Sequence, residues 1–281
     1  MTKHSTFKTN DGVTLHYAQS GENNQQAIVC VHGWAQSADS FKFQLEGLGA
    51  KYNVIALDMR GHGESEAPTY GYSMFRMAKD VRDLLETLDL QDVIFMGHSM
   101  GCAVAWAYWT LFQAERLSKF ILIDEMAAVA ANPLWTEAEL LQKGPIFDQT
   151  SMYQTYADMI GPNGAEASAA FVGPMFTDAC DPEILATVMA ESAKSPLLVS
   201  AKIFLNHCLI DWTDEIQTIN IPTLVINGLD SHVPETSTIW VADAIPGSKL
   251  VSFKMEERAK HFMFLENPTK FNAVVTDFLE S

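Results

Sequence analysis

Residues 93–112 read VIFMGHSMGCAVAWAYWTLF: four apolar residues of strand type, the turn Gly97-His98-Ser99-Met100-Gly101, then an apolar stretch of helical character. Strand, sharp turn and helix in that order are the setting in which a Gly-x-Ser-x-Gly turn lifts a serine hydroxyl clear of a sheet. The two glycines let strand and helix pack closely around a strained residue. The Met100 amide then falls at a helix N-terminus, where negative charge is favoured. Ser99 is thus the candidate nucleophile, and Met100 is one candidate donor to an oxyanion.

On the N-terminal side of this stretch, short β-branched runs alternate with amphipathic segments. The runs are VTLHYAQ (13–19), AIVCVH (27–32) and NVIALD (53–58), and FILID (120–124) follows the turn. Between them, 41–51 and 73–88 place apolar residues at helical spacing, the second with Ser73 as N-cap. Continuous apolar strands alternating with helices predict a mostly parallel sheet covered on both faces. The alternation stops at Ala127 and resumes after Asp214 with PTLVING (222–228) and KLVSF (249–253), closing in a helix from Pro268 to Leu279. Between 127 and 214 the chain reads as helical pieces broken by Pro133, Pro145, Pro162, Pro174, Pro182 and Pro196. The expected organisation is a core of residues 1–126 and 215–281, carrying 127–214 as a helical cap over the carboxyl ends of the strands.

Bulk properties narrow the partners. A formal net charge of −17 works against a grip on nucleic acid or anionic lipid, since like charges repel. No apolar run approaches membrane-spanning length, and residues 1–11 lack the basic-then-apolar pattern of a secretory leader. The four cysteines are widely spaced, and neither they nor the eight histidines show metal-ligand spacing. A cytoplasmic protein with a small-molecule substrate and no metal or organic cofactor is expected, and nothing specifies an oligomeric state.

A nucleophilic serine needs a base, an acid that orients the base, and a second oxyanion donor. His261, in KMEERAKHFMFLENP (254–268), lies after the last strand and before the terminal helix, so its loop opens on the same sheet edge as Ser99. Two carboxylates compete for the acid: Asp124, ending its strand, and Asp230, in GLDSHVP (228–234). Asp124 is preferred, because a carboxylate at the end of an apolar strand needs a partner to offset desolvation. The Trp34 amide, in the loop after the strand 27–32, is the second oxyanion donor. The motif DMRGHGES (58–65) reads as a loop tied down by Asp58, Arg60 and Ser65, and His32 as a structural residue that bonds loop carbonyls. Trp34, Trp135, Phe147 and Tyr153 are the expected substrate-lining aromatics.

HGW (32–34), DMRGHGES (58–65), GHSMG (97–101), PTLVING (222–228) and the late His261 occur in the order found in the α/β-hydrolase superfamily, which the chain resembles over nearly its whole length. GHSMGCAVAWAY (97–108) and HFMFLENPTKF (261–271) are most similar to the branch labelled non-heme chloroperoxidase or perhydrolase-like esterase. The resemblance implies an eight-stranded-type sheet and an esterase or lactonase acting through Ser99 and His261, with peroxide able to replace water in a side activity. In one place the pattern departs. The usual acid after the seventh strand stands three residues beyond a glycine, where this chain has Ser231. Either the loop is one residue shorter and Asp230 is that acid, or the acid is Asp124 after the sixth strand, which resembles some haloalkane dehalogenases and the cofactor-free quinolone dioxygenases. Two further readings therefore accompany the hydrolase: a cofactor-free dioxygenase that uses the His–Asp pair as base on a hydroxy-quinolone-type ring, and a hydrolase-derived small-molecule receptor.

Overall fold

A computed structural model describes residues 1–281. Its eight strands are β1 (Lys3–Lys8), β2 (Thr14–Ser20), β3 (Ala27–Val31), β4 (Asn53–Leu57), β5 (Val93–His98), β6 (Leu117–Ile123), β7 (Thr223–Gly228) and β8 (Lys249–Phe253). They form one sheet in the order β1-β2-β4-β3-β5-β6-β7-β8. The pairings β1–β2 and β2–β4 are antiparallel, and the remaining five are parallel. Every residue of β3, β4, β5 and β7 is buried. This is why apolar residues dominate their sequences, since helices cover both faces. Strand β1 is the exception. Only Phe7 of KHSTFK is buried at this sheet edge, so the strand carries almost no hydrophobic signal and does not stand out in the sequence.

Three helices precede the long excursion: α1 (Lys42–Leu48), α2 (Met74–Thr87) and α3 (Met100–Phe112). Ser73 caps α2 as expected, its side chain accepting from the Arg76 N–H at 3.3 Å. Helix α3 has ten buried residues in thirteen, including Trp106, Tyr108 and Trp109, because it packs between the sheet and its neighbouring helices. Between β6 and β7 the chain makes six helices, α4 (Glu137–Lys143), α5 (Gln149–Ile160), α6 (Gly164–Val172), α7 (Pro182–Lys194), α8 (Leu197–Cys208) and α9 (Thr213–Ile216), and no strand. Two of the prolines mark helix starts: Pro182 is the first residue of α7 and Pro196 the N-cap of α8. Helix α10 (Glu235–Ala244), which the sequence reading does not single out, links β7 to β8. The short α11 (Met263–Glu266) leads into α12 (Pro268–Leu279), where the Asn267 side chain accepts from the Lys270 N–H.

The loop 58–65 is held as its sequence suggests. The fully buried Arg60 guanidinium donates twice to Asp80 on α2, at 2.6 and 2.7 Å, and Asp58 accepts from the Ala38 and Glu64 amides. The Ser65 hydroxyl donates to the Asp58 carbonyl. These contacts pin the two loops that follow β3 and β4, next to the turn that follows β5. No helix is long and apolar enough to cross a membrane.

Candidate active site

In a parallel sheet, residues that immediately follow strands collect along one edge. Trp34 follows β3, Ser99 follows β5, Asp124 follows β6, Asp230 to His232 follow β7, and His261 lies beyond β8. Ser99 has φ 53° and ψ −126°, a backbone conformation that costs an L-residue about 1–3 kcal/mol and persists only where the surroundings impose it. Here they do. A Cβ on Gly101 would come within 2.1 Å of the Val31 carbonyl oxygen, so helix α3 meets strand β3 at a distance only glycine permits. Gly101→Ala is expected to lower stability by about 1–3 kcal/mol, read as a lower Tm in thermal melts. An unchanged Tm would mean that this contact is looser than 2.1 Å implies.

The same crowding shapes the surroundings of the two expected oxyanion donors. A Cβ on Gly33 would sit 3.1 Å from the Ser99 Cβ, so the loop carrying the Trp34 amide runs directly past the serine. The Trp34 N–H makes no backbone hydrogen bond. Met100 opens α3, where a first-turn N–H lacks an intrahelical acceptor. Both expected donors are therefore free beside Ser99. The Trp34 ring is fixed by its Nε1–H, which donates to the Ser200 carbonyl at 2.7 Å, and by edge contacts with Phe171 and Phe204.

His261 is 2% exposed, and its Nδ1 is 2.7 Å from Asp124 Oδ2. Asp124 is fully buried and has φ 54°; its Oδ1 accepts from the Gly228 N–H at 3.3 Å and its Oδ2 from the Ser231 hydroxyl. With Nδ1 committed to the carboxylate, His261 is left with Nε2 to act at the cavity that it and Ser99 both line. Burial lowers the His261 pKa to about 4 and so favours the neutral ring a base requires, while the Glu125 carboxylate opposes the shift. Burial pushes the Asp124 carboxyl up to about 7, against the Ser231 hydroxyl, nearby His232 and the Gly228 amide.

Asp230 does not reach the pair with its carboxylate. Its side chain is exposed, and its contribution is a backbone N–H that donates to the Ala259 carbonyl at 3.0 Å, anchoring the loop that leads to His261. The residue that reaches the pair from β7 is Ser231, at the position where the related pattern carries an acid. The expected pocket aromatics also need correction. Trp34 lines the cavity, but Phe147 stands one layer behind it, its ring against Phe171 and Phe204. Tyr153 is 52% exposed on α5, and Trp135 lies under the Lys143 ammonium, 4.3 Å from its ring centroid. Aromatic content marks a segment but not which helix face turns inward, and here Met152, not Tyr153, is the buried neighbour.

Sequence reasoning also passed over His98, the residue before the serine. Its Nε2–H donates to the His261 carbonyl at 3.1 Å, and its ring lies 4.4 Å from the His261 ring, so the β5 end holds the His261 loop directly. His32 is structural as expected: Nδ1–H donates to the Gly33 carbonyl and Nε2 accepts the Met59 N–H, which keeps the ring neutral. Burial lowers the pKa values of His32, His62, His98, His232 and His261, that of His62 to about 3. Unfolded, each takes up a proton below an ordinary value of about 6.5. The unfolded chain then binds more protons than the folded one, so stability falls as pH drops from about 6.5, by roughly 1 kcal/mol per pH unit and histidine. Asp124, raised to about 7, and His16, raised by its hydrogen bond to Asp58, work the other way and offset part of this loss. Thermal melts between pH 7 and 5 are expected to show a steep loss of Tm, and a flat profile would contradict the neutral burial of these rings.

A family model described as alpha/beta hydrolase fold matches residues 26–268. The chain is 28% identical to a non-heme chloroperoxidase of Streptomyces lividans over 98% of this chain and 99% of that one. Among solved structures it superposes on a bromoperoxidase from Bacillus anthracis with a TM-score of 0.89, at 24% identity over 99% of this chain and 100% of the other. It superposes on the enol-lactonase from Burkholderia xenovorans LB400 with a TM-score of 0.83, at 24% identity, 99% and 100% of the two chains being covered. The match over residues 26–268, on a sheet that sets Ser99 and His261 on one edge, shows the chain to be a member of the alpha/beta hydrolase fold family.

Proposed function

We propose that this enzyme is a serine hydrolase that cleaves an ester or lactone of a hydrophobic small molecule through an acyl-enzyme on Ser99. The observation that carries the reading is the 2.7 Å hydrogen bond from His261 to Asp124, which orients a buried imidazole at the cavity shared with Ser99. The Ser99 proton passes to His261 Nε2 as Oγ bonds to the carbonyl carbon. The oxyanion is held by the Trp34 and Met100 amides, and the alcohol leaves with the proton from His261. Water, deprotonated in turn by His261, attacks the acyl carbon; the C–Oγ bond breaks, His261 returns the proton to Ser99 Oγ, and the acid is released. Each oxyanion donor contributes about 3 kcal/mol to the barrier reduction and the base about 10²–10⁴-fold. Hydrogen peroxide in place of that water yields a peracid, the side activity that the chloroperoxidase likeness suggests.

Residues 127–214 act as the cap on a core formed by 1–126 and 215–281. Phe171, Val172 and Phe204 from α6 and α8 close the cavity over Ser99. The space that remains there is about 40 Å³, whereas small-molecule pockets run to roughly 300–1,000 Å³. A space this narrow supports a cap that shifts to admit and select substrate.

The test is labelling with a serine-directed alkyl phosphonate, followed by mass mapping, beside turnover of p-nitrophenyl esters and lactones. One label per chain on Ser99, with loss of activity, is the expected result. A label elsewhere, or activity that survives without one, removes Ser99 from the mechanism. The His261–Asp124 base, with its acid after β6, also fits the cofactor-free dioxygenase reading. Dioxygen uptake with a hydroxy-quinolone and no ester turnover would select that chemistry, and a single turnover without release would select the receptor.

A further inference from the structure

We propose that Glu125 and His207 form a hydroxyl-binding subsite in the cavity of Ser99, so that the preferred ester or lactone carries an alcohol group on its otherwise apolar part. The inference rests on the serine hydrolase reading above. Glu125 directly follows Asp124, and the left-handed backbone at Asp124, φ 54°, separates the two side chains: one meets His261, the other meets helix α8. There His207 Nε2 lies 3.2 Å from Glu125 Oε2. Both residues are buried, 7% and 5% exposed, and both line the cavity among Met126, Val129 and Phe204. An acid and an imidazole are costly to bury in such a wall, and the mechanism at Ser99 uses neither.

What the pair can bind follows from its hydrogen bonds. Glu125 Oε1 accepts from the Met126 N–H at 2.8 Å, and Oε2 accepts from His207. A histidine proton is therefore on Nε2, and Nδ1 is the polar atom of the ring that the pair leaves over. No protein group donates to that nitrogen, although it is buried, and the Nδ1 of His232 at the same cavity also lacks a partner. The spare capacity of the pair thus lies at Nδ1 and at the remaining lone pairs of Oε2. A ligand group that fits must donate to Oε2 and pair with Nδ1, which a hydroxyl, both donor and acceptor, can do. A carboxylate cannot and would be repelled by Glu125, and a cation would lose its hydration against the apolar wall, whereas an alcohol satisfies the site without net charge.

The experiment compares p-nitrophenyl hexanoate with its 3-hydroxy and 6-hydroxy derivatives and with the p-nitrophenyl half-ester of adipic acid. The readout is the ratio of kcat/KM to that of plain hexanoate within each enzyme. For the unaltered enzyme, at least one hydroxylated ester is expected to exceed hexanoate by tenfold or more, and the carboxylated ester to fall below it. In Glu125→Leu/His207→Leu, which removes both partners together, the hydroxyl ratio is expected to collapse to about one. Labelling of Ser99 by a plain alkyl phosphonate reports whether that variant is folded. A ratio near one in the unaltered enzyme, or one that survives in the double variant, overturns the subsite while leaving ester hydrolysis intact. Paired phosphonates with and without a hydroxyl give the same ratio as a labelling rate where turnover is too slow to follow. Absence of both turnover and labelling overturns the serine hydrolase reading, and the subsite with it.

Discussion

Ser99→Ala is expected to lower kcat on an activated ester by about 10⁶-fold, the scale on which loss of a serine nucleophile that works with its base as a unit is felt. The effect is large because no nearby group can substitute. Cys102, one turn along α3, is fully buried, its thiol faces the Gly97 carbonyl, and burial holds it protonated. His261→Ala should cost nearly as much, and the double variant little more than either alone, since base and nucleophile act in one step. Stability should change by less than about 1 kcal/mol, because Ser99 is only half-buried and alanine loses just a hydroxyl. Steady-state kinetics with thermal melts on the same preparations separate the two effects. Activity of Ser99→Ala above about one part in a thousand, in protein shown by mass spectrometry to be free of unaltered enzyme, would place the chemistry on another residue.

The legibility of this fold follows from burial. Strands β3 to β7 are covered on both faces, and each appears in the sequence as an apolar run close to its observed bounds. Strand β1 pairs on one side only and buries a single residue, so its sequence, KHSTFK, is indistinguishable from a polar loop. Within the site, Ser99 and His261 were readable because motif and chain order place them on one sheet edge. Glu125, His98 and Ser231 were not, although each bonds a partner distant in sequence: His207, the His261 carbonyl and Asp124. Such pairs are set by which side chain a turn directs inward. The left-handed residues Ser99 and Asp124 set that direction, and periodicity has no access to it.

The acid is where sequence and geometry can be tested against each other most sharply. Asp124→Asn is expected to lower kcat by about 10⁴-fold, because an amide in place of the carboxylate no longer holds His261 in the tautomer that leaves Nε2 free to take the serine proton. Asp230→Asn should change kcat by less than twofold, its side chain being exposed and its anchoring contact a backbone one. Ser231 sharpens the comparison. Its hydroxyl donates to the same Oδ2 that meets Nδ1 of His261, so a carboxylate built at that position would reach the neighbourhood of the imidazole from strand β7. In the Asp124→Asn background, Ser231→Asp should then recover part of the lost activity, about tenfold or more. With Asp124 intact, the same change sets two carboxylates against each other and should depress activity instead. Rescue in the first background and loss in the second would identify the acid as a place at the end of His261 that either strand can fill. Recovery in neither, with Asp124→Asn near the unaltered rate, would mean that the 2.7 Å hydrogen bond does not orient the base.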